Sequence, residues 1–144
     1  MVQKMSTITF THTISIEDYN DLRASVDFIT IREKRARIAL ENSLYTLIAL
    51  DDGKPVGMAR VVGDGGYVYF ICDVIVHPDY QSGGIGKALI TNVLTWIEYQ
   101  VAENETVMVN LMSAYEKEPF YEKLGFNRRP FENHGCGMSK WIHK

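Results

Sequence analysis

The clearest chemical signal in this 144-residue chain is a run of seven residues, Gln81-Ser82-Gly83-Gly84-Ile85-Gly86-Lys87. It follows a long apolar stretch of strand-like composition and precedes a segment of helical periodicity, so the glycines fall where a helix begins. A helix start exposes unpaired N–H groups and roughly half a positive charge, and glycines let a phosphate approach that backbone with no Cβ in the way. Several charge-assisted hydrogen bonds of about 1.5–3 kcal/mol each can hold a pyrophosphate without an arginine cluster. Lys87, in the first helical turn, can add an ionic contact. A Walker A loop does not fit, because Gly86-Lys87 is followed by Ala88 and leaves no hydroxyl for magnesium. A dinucleotide fingerprint does not fit either, because Leu89 stands where the third glycine belongs. Taken alone, the loop is also compatible with a turn that merely joins strand to helix.

The elements that must position this loop follow from periodicity and turn chemistry. ITFTHTI (residues 8–14) alternates like a half-buried strand, and Ser15-x-x-Asp18 is a helix-start signature with Ser15 as N-cap. Thr30-x-x-Glu33 repeats that signal before a second helix through RARIALEN. LYTLIAL (44–50) and PVGMARVVG flank Asp51-Asp52-Gly53-Lys54, which predicts a hairpin. After a turn at residues 63–66, YVYFICDVIV (67–76) predicts a strand buried on both faces. Apolar residues at Leu89, Val93, Trp96 and Ile97 make the segment after the loop helical, and VMVNLM (107–112) returns as a strand. Pro119 opens and Gly125 ends a short helix, and the remainder predicts two more strands joined across Asn133-His134-Gly135. The order β-α-α-β-β-β-α-β-α-β-β describes an α+β fold, a mixed sheet with helices on both faces.

Bulk properties narrow the function classes. The length suits one domain over residues 1–144, and 46% apolar with 23% charged residues is an ordinary globular balance. A net charge of −3 gives no global footprint for nucleic acid, and the basic run REKRAR reads as the wet face of a helix. Arg128-Arg129 is the other basic cluster. Cys72 and Cys136 are the two cysteines, without CxxC or Cys/His pairing, so no disulfide framework and no metal site is predicted. No stretch approaches the roughly 20 apolar residues that span a bilayer, so no membrane partner is predicted and the cytoplasm is the expected location.

The stretch DVIVHPDYQSGGIGKALI resembles the coenzyme A signature of the GCN5-related N-acetyltransferase (GNAT) superfamily, [Q/R]-x-x-G-x-[G/A] after a strand ending in V-x-P. Gln81, Gly84 and Gly86 match its core, and Val76 and Pro78 match its lead-in. Downstream, FYEKLGF (120–126) is similar to the family's other recurrent motif, and the element order agrees over nearly the whole chain. The resemblance implies a sheet whose central parallel strands, YVYFICDVIV and VMVNLM, splay apart, with acetyl-CoA as acetyl donor and no metal. Pantetheine would lie along the backbone of Val74, Ile75 and Val76. The pyrophosphate would lie on the loop that Gln81 opens, held by the N–H groups of Ser82, Gly83, Gly84, Ile85, Gly86 and Lys87. Tyr121 takes the family's general-acid position, facing the departing thiolate.

The acceptor implied is a primary amine, with a small molecule as the leading class. The general base is open among Asp73, Glu33, Tyr69, Tyr115, Glu118 and a water chain; Cys72 and Phe70 stand on the alternate face, where some relatives put Glu or His, and supply no good base, while His77 reads as a loop residue. By resemblance the two helices after the first strand line the acceptor pocket. Asp27, Glu33, Tyr19 and Phe28 suit an amine there, and Arg23, Arg32 and Arg35 suit a carboxylate or phosphate. Homodimerisation is a family-level expectation, with Trp141-Ile142 as a contact. A sensor or interaction module that binds acetyl-CoA without turnover is the alternative. A nucleic-acid-binding domain has only the two arginine clusters behind it.

Overall fold

Ser15 caps the first helix as its sequence predicts: its Oγ accepts the Asp18 N–H at 3.0 Å, ahead of α1 (Ile16–Ser25). The helix ends with Asp27 in the left-handed region (φ 61°), where Phe28 N–H donates to Arg23 O and Asp27 N–H to Ala24 O. That pair of bonds satisfies the last carbonyls of the helix in the Schellman manner. The structure, a computed structural model, describes residues 7–144.

The second helix departs from expectation. Thr30 is not its cap; α2 (Glu33–Glu41) begins at Arg32, which makes no side-chain capping bond. The cause lies in Asn20, whose carboxamide donates to Ile31 O and accepts from Ile31 N–H, both at 2.8 Å. This two-way pairing holds Ile31 as a strand partner would, so the helix starts after it. REKRAR does form a wet helix face, with Ala36 alone turned into the core.

Four strands make an antiparallel meander: β1 (Ile8–Thr11), shorter than its alternating pattern, then β2 (Tyr45–Asp51), β3 (Lys54–Gly63) and β4 (Val68–Val76). The β2–β3 hairpin turns through Asp52 (φ 48°) and Gly53 (φ 79°), the paired positive φ values of a primed turn. β5 (Met108–Leu111) joins the far side of β4. Met108 N–H donates to Tyr67 O at 2.7 Å, which sets the starts of the two strands side by side and makes the five-stranded sheet mixed.

Helices cover both faces of the sheet. Tyr19, Leu22 and Ala36 from α1 and α2 pack with Ile48, Met58 and Ile75 on one face. The opposite face carries α3 (Ile85–Gln100), whose Leu89, Ile90 and Val93 are fully buried. α3 sits close to β3 because of Gly57: a Cβ there would meet Ile75 O at 3.0 Å, Ile85 Cγ2 at 3.2 Å and Leu89 Cδ1 at 3.3 Å. The strand that precedes the glycine loop and the helix that follows it are thereby held against neighbouring parts of one sheet.

Two compact units partition the chain, Met1–Asn110 and Leu111–Lys144. In the second, α4 (Glu118–Glu122) has Pro119 in its first turn and ends at Gly125 (φ 96°), with Phe126 N–H bonded to Tyr121 O and Gly125 N–H to Glu122 O. The two strands expected after it do not form. Residues 131 and 134 make one isolated antiparallel bridge, and Met138, Trp141 and Ile142 are exposed. A strand is stabilised by what its side chains pack against, and these side chains bury almost nothing.

Candidate active site

β4 is irregular at its centre. Arg60 of β3 faces Cys72 while Met58 faces Ile75, so Ala59 alone opposes Asp73 and Val74, and the pair is a bulge. Asp73 adopts φ 50°, a left-handed conformation that costs a non-glycine residue about 1 kcal/mol or more. Its carboxylate is held by three donors: Tyr19 Oη to Oδ2 at 2.5 Å, Arg60 Nε to Oδ2 at 2.9 Å and Arg23 Nη1 to Oδ1 at 2.5 Å. The three charged side chains are 8–13% exposed. With Tyr19 neutral, two guanidiniums and one carboxylate leave this cluster with one net positive charge. Asp73 is therefore committed to structure: three of its roughly four acceptor sites are taken and two guanidiniums match its charge.

The neighbouring titratable groups are no better as bases. Burial pushes the Cys72 thiol up to about 11. Burial, and then the hydrogen bond to Asp73, push Tyr19 up to about 12. Both stay protonated at neutral pH. Tyr69 is buried edge-on to Trp96 on the α3 face. Glu33 is exposed and paired with Arg37 one turn on. His77 acts locally, its Nδ1 accepting the Asp79 N–H at 3.1 Å to cap a short 3-10 turn, Pro78–Tyr80.

The turn delivers the chain to the glycine loop. Gln81 Nε2 reaches back to Val76 O at 3.0 Å, tying the loop to the end of β4 and so joining two segments expected to serve one ligand. Ser82 (φ 67°) and Gly84 (φ 88°) both take left-handed conformations, and Gly84 is the residue before α3. Alternating left- and right-handed residues turn successive N–H groups toward one side, making an anion-binding concavity. Among the described residues, none of the N–H groups of Ser82, Gly83, Gly84, Ile85, Gly86 and Lys87 has an intrachain acceptor; the first N–H that does is that of Ala88, bonded to Gly84 O. A Cβ built on Gly84 meets nothing within 4 Å, so the space in front of the loop is open. Six free donors, a helix dipole and open space fit a pyrophosphate.

In the second unit Tyr121 is 8% exposed, packed edge-on against Phe120 (5.0 Å between centroids) and Phe126 (6.1 Å). Among the described residues its hydroxyl has no hydrogen-bond partner. Since no unpartnered side-chain oxygen or nitrogen among the described residues is sealed from solvent, that hydroxyl reaches a surface. Burial raises its pKa, so the phenol keeps its proton and remains a donor at neutral pH. Tyr115 is largely exposed, and Glu118 starts α4.

The bulge clamp was not legible beforehand. Asp73, Arg23 and Tyr19 carry separate candidate roles in the sequence, and Arg60 carries none, because it sits inside an apolar strand with no local signal of a partner.

Comparison with known proteins agrees with this geometry. Residues 15–140 match the acetyltransferase (GNAT) domain family. The chain is 34% identical over 121 residues to an uncharacterized N-acetyltransferase, ycf52, of Pyropia yezoensis, covering 81% of this chain and 67% of that one. It is 32% identical over 117 residues to serotonin N-acetyltransferase 2, chloroplastic, of Oryza sativa subsp. japonica, covering 77% of this chain and 56% of that protein. A probable acetyltransferase of unknown function from methicillin-resistant Staphylococcus aureus superposes with a TM-score of 0.81 at 29% identity, over 93% of this chain and all of that one. With the donor-rich glycine loop at the end of a bulged strand and a family match across most of its length, the chain belongs to the GNAT family of acetyltransferases.

Proposed function

We propose that the protein transfers the acetyl group of acetyl-CoA to a primary amine of a small molecule, by direct attack through a tetrahedral intermediate. The observation that carries this reading is the set of six unpaired N–H groups at the start of α3. In it, the amides of Ser82, Gly83, Gly84, Ile85, Gly86 and Lys87 hold the pyrophosphate, and the Lys87 ammonium adds a contact. The backbone of Val74 in the bulge, and of Ile75 and Val76 after it, runs beside pantetheine. Residues 1–144 act as one acetyltransferase domain, a reading supported by a family match that runs across both units.

The amine must attack neutral. A lysine-like amine has a pKa near 10.4, so freeing it at neutral pH costs about 4–5 kcal/mol. Asp73 is occupied and Cys72 and Tyr19 stay protonated, which supports proton loss through water or through desolvation of the amine, not through one dedicated carboxylate. The excess positive charge of the Arg23–Asp73–Arg60 cluster also disfavours a cationic amine nearby. Tyr121 donates a hydrogen bond to the sulfur as the carbon–sulfur bond breaks, and the departing thiolate then takes a proton from solvent water, which balances the one lost by the amine.

The reading carries two further expectations. The protein works as a homodimer, with the exposed Trp141 and Ile142 available for a contact. It works in an aqueous compartment, the cytoplasm or, by analogy with the chloroplastic relative, the plastid stroma. Among the described residues no helix is long and apolar enough to cross a membrane. The test is a panel of amines incubated with acetyl-CoA while free thiol is followed: serotonin, amino acids, polyamines, amino sugars, aminoglycosides and peptides. Thiol release with one class identifies the acceptor. Tight cofactor binding with no turnover across the panel would move the protein to the sensor reading.

A further inference from the structure

Arg23 is tied to the loop between α1 and α2 in three ways. Its carbonyl accepts the Phe28 N–H at 2.9 Å, its Nε donates to Ile29 O at 2.6 Å, and its guanidinium lies against the Phe28 ring, 5.5 Å from the centroid. The same guanidinium donates through Nη1 to Asp73 in the β4 bulge. A guanidinium is a rigid plane, so its Nε and Nη1 cannot move independently. Whatever shifts the Asp73 carboxylate therefore shifts the Ile29 carbonyl. The loop so held is exposed yet tied at both ends: Ile29 is 58% and Phe28 37% exposed, while Asn20 bonds its far end at Ile31.

We propose that Arg23 is a positioning residue that couples the β4 bulge to the loop at residues 26–32, so that occupation of the cofactor strand orders that loop. The coupling rests on the reading above that the cofactor lies along β4. The cost of holding Asp73 at φ 50° gives the bulge a conformation that its neighbours must maintain. Arg60 and Tyr19 anchor one oxygen of Asp73 to β3 and α1, and Arg23 takes the other oxygen to the loop. Loss of Arg23 would leave the bulge clamped on one side and the loop tied only by its backbone bonds and by Asn20.

The test is hydrogen–deuterium exchange with and without coenzyme A. In the wild type, coenzyme A should slow exchange at residues 82–87 and, severalfold, at the amides of Phe28 and Ile31. In Arg23→Lys, which keeps the charge but cannot serve both acceptors from one plane, coenzyme A should still bind and still protect residues 82–87, while the response at Phe28 and Ile31 is lost. Asn20→Ala loosens the same loop without touching the guanidinium, and should keep the response at Phe28. Arg23→Gln retains a donor but drops the ion pair, and should behave as Arg23→Lys does if that variant does not fold. Protection at Phe28 that persists in a folded Arg23 variant overturns the coupling, as does a wild-type loop indifferent to bound coenzyme A. No protection at residues 82–87 in the wild type removes the cofactor reading itself, and the coupling with it.

Discussion

Replacing Gly84 by aspartate should raise the stability of the free protein relative to asparagine while weakening cofactor binding, two effects of opposite sign from one charge. Gly84 has φ 88° and open space where a Cβ would go, so both variants bear the same left-handed cost of about 1 kcal/mol or more, which asparagine and aspartate tolerate better than other residues. They are nearly isosteric, and their difference reads charge alone. In the free protein, a carboxylate beside the N-terminus of α3 gains about 0.3–1 kcal/mol from the helix dipole. With a pyrophosphate on the same amides, one unit of like charge about 5 Å away costs under 1 kcal/mol in bulk water and about 3 kcal/mol at an effective dielectric near 20. The loop is exposed, so the penalty lies between these limits, roughly a 5- to 150-fold rise in Kd. Calorimetric titration with coenzyme A gives the affinity and urea unfolding gives the stability. Added salt should narrow the affinity gap, because exposed charges are screened. Equal affinities for the wild type and both folded variants would mean that the phosphates bind elsewhere.

Tyr121→Phe should lower turnover by about 10²–10⁴-fold with acetyl-CoA affinity and melting temperature nearly unchanged, since the hydroxyl has no partner among the described residues to lose; wild-type turnover would assign the ring to packing alone. Asp73→Asn keeps a side chain that tolerates φ 50° but leaves two buried guanidiniums without a countercharge, so it should destabilise by about 3–5 kcal/mol in urea unfolding. Stability should also fall at alkaline pH. Cys72 rises from 9.0 to about 11 on folding, so its contribution is full below pH 9 and is lost as pH climbs toward 11. A two-unit shift is worth about 2–3 kcal/mol, and Cys72→Ala should remove that part of the decline in pH-dependent unfolding, leaving a later one from Tyr19 between 10.0 and about 12.

Local chemistry wrote much of this protein into its sequence. Ser15 caps α1, Asp52-Gly53 turns the hairpin, Pro119 and Gly125 bound α4, and the glycine loop joins a strand to a helix with its amides free. Each depends on residues within a few positions of one another, where side-chain reach and allowed φ values decide the outcome. The start of α2 did not follow its local signal, because Asn20, eleven residues before Ile31, bonds both backbone groups of Ile31, the residue that would have been first in a helix capped by Thr30. The terminal residues carry a turn signal at Asn133-His134-Gly135 and yet form no strands, because pairing needs a surface to bury side chains against, and turn chemistry carries no information about whether one is present. Tertiary structure alone also decided the role of Asp73. As a lone carboxylate in a buried strand it is a candidate base. Arg23, 50 residues before it, and Arg60, 13 before it, turn it into the centre of an ion cluster, and only the folded chain brings those charges within hydrogen-bond distance.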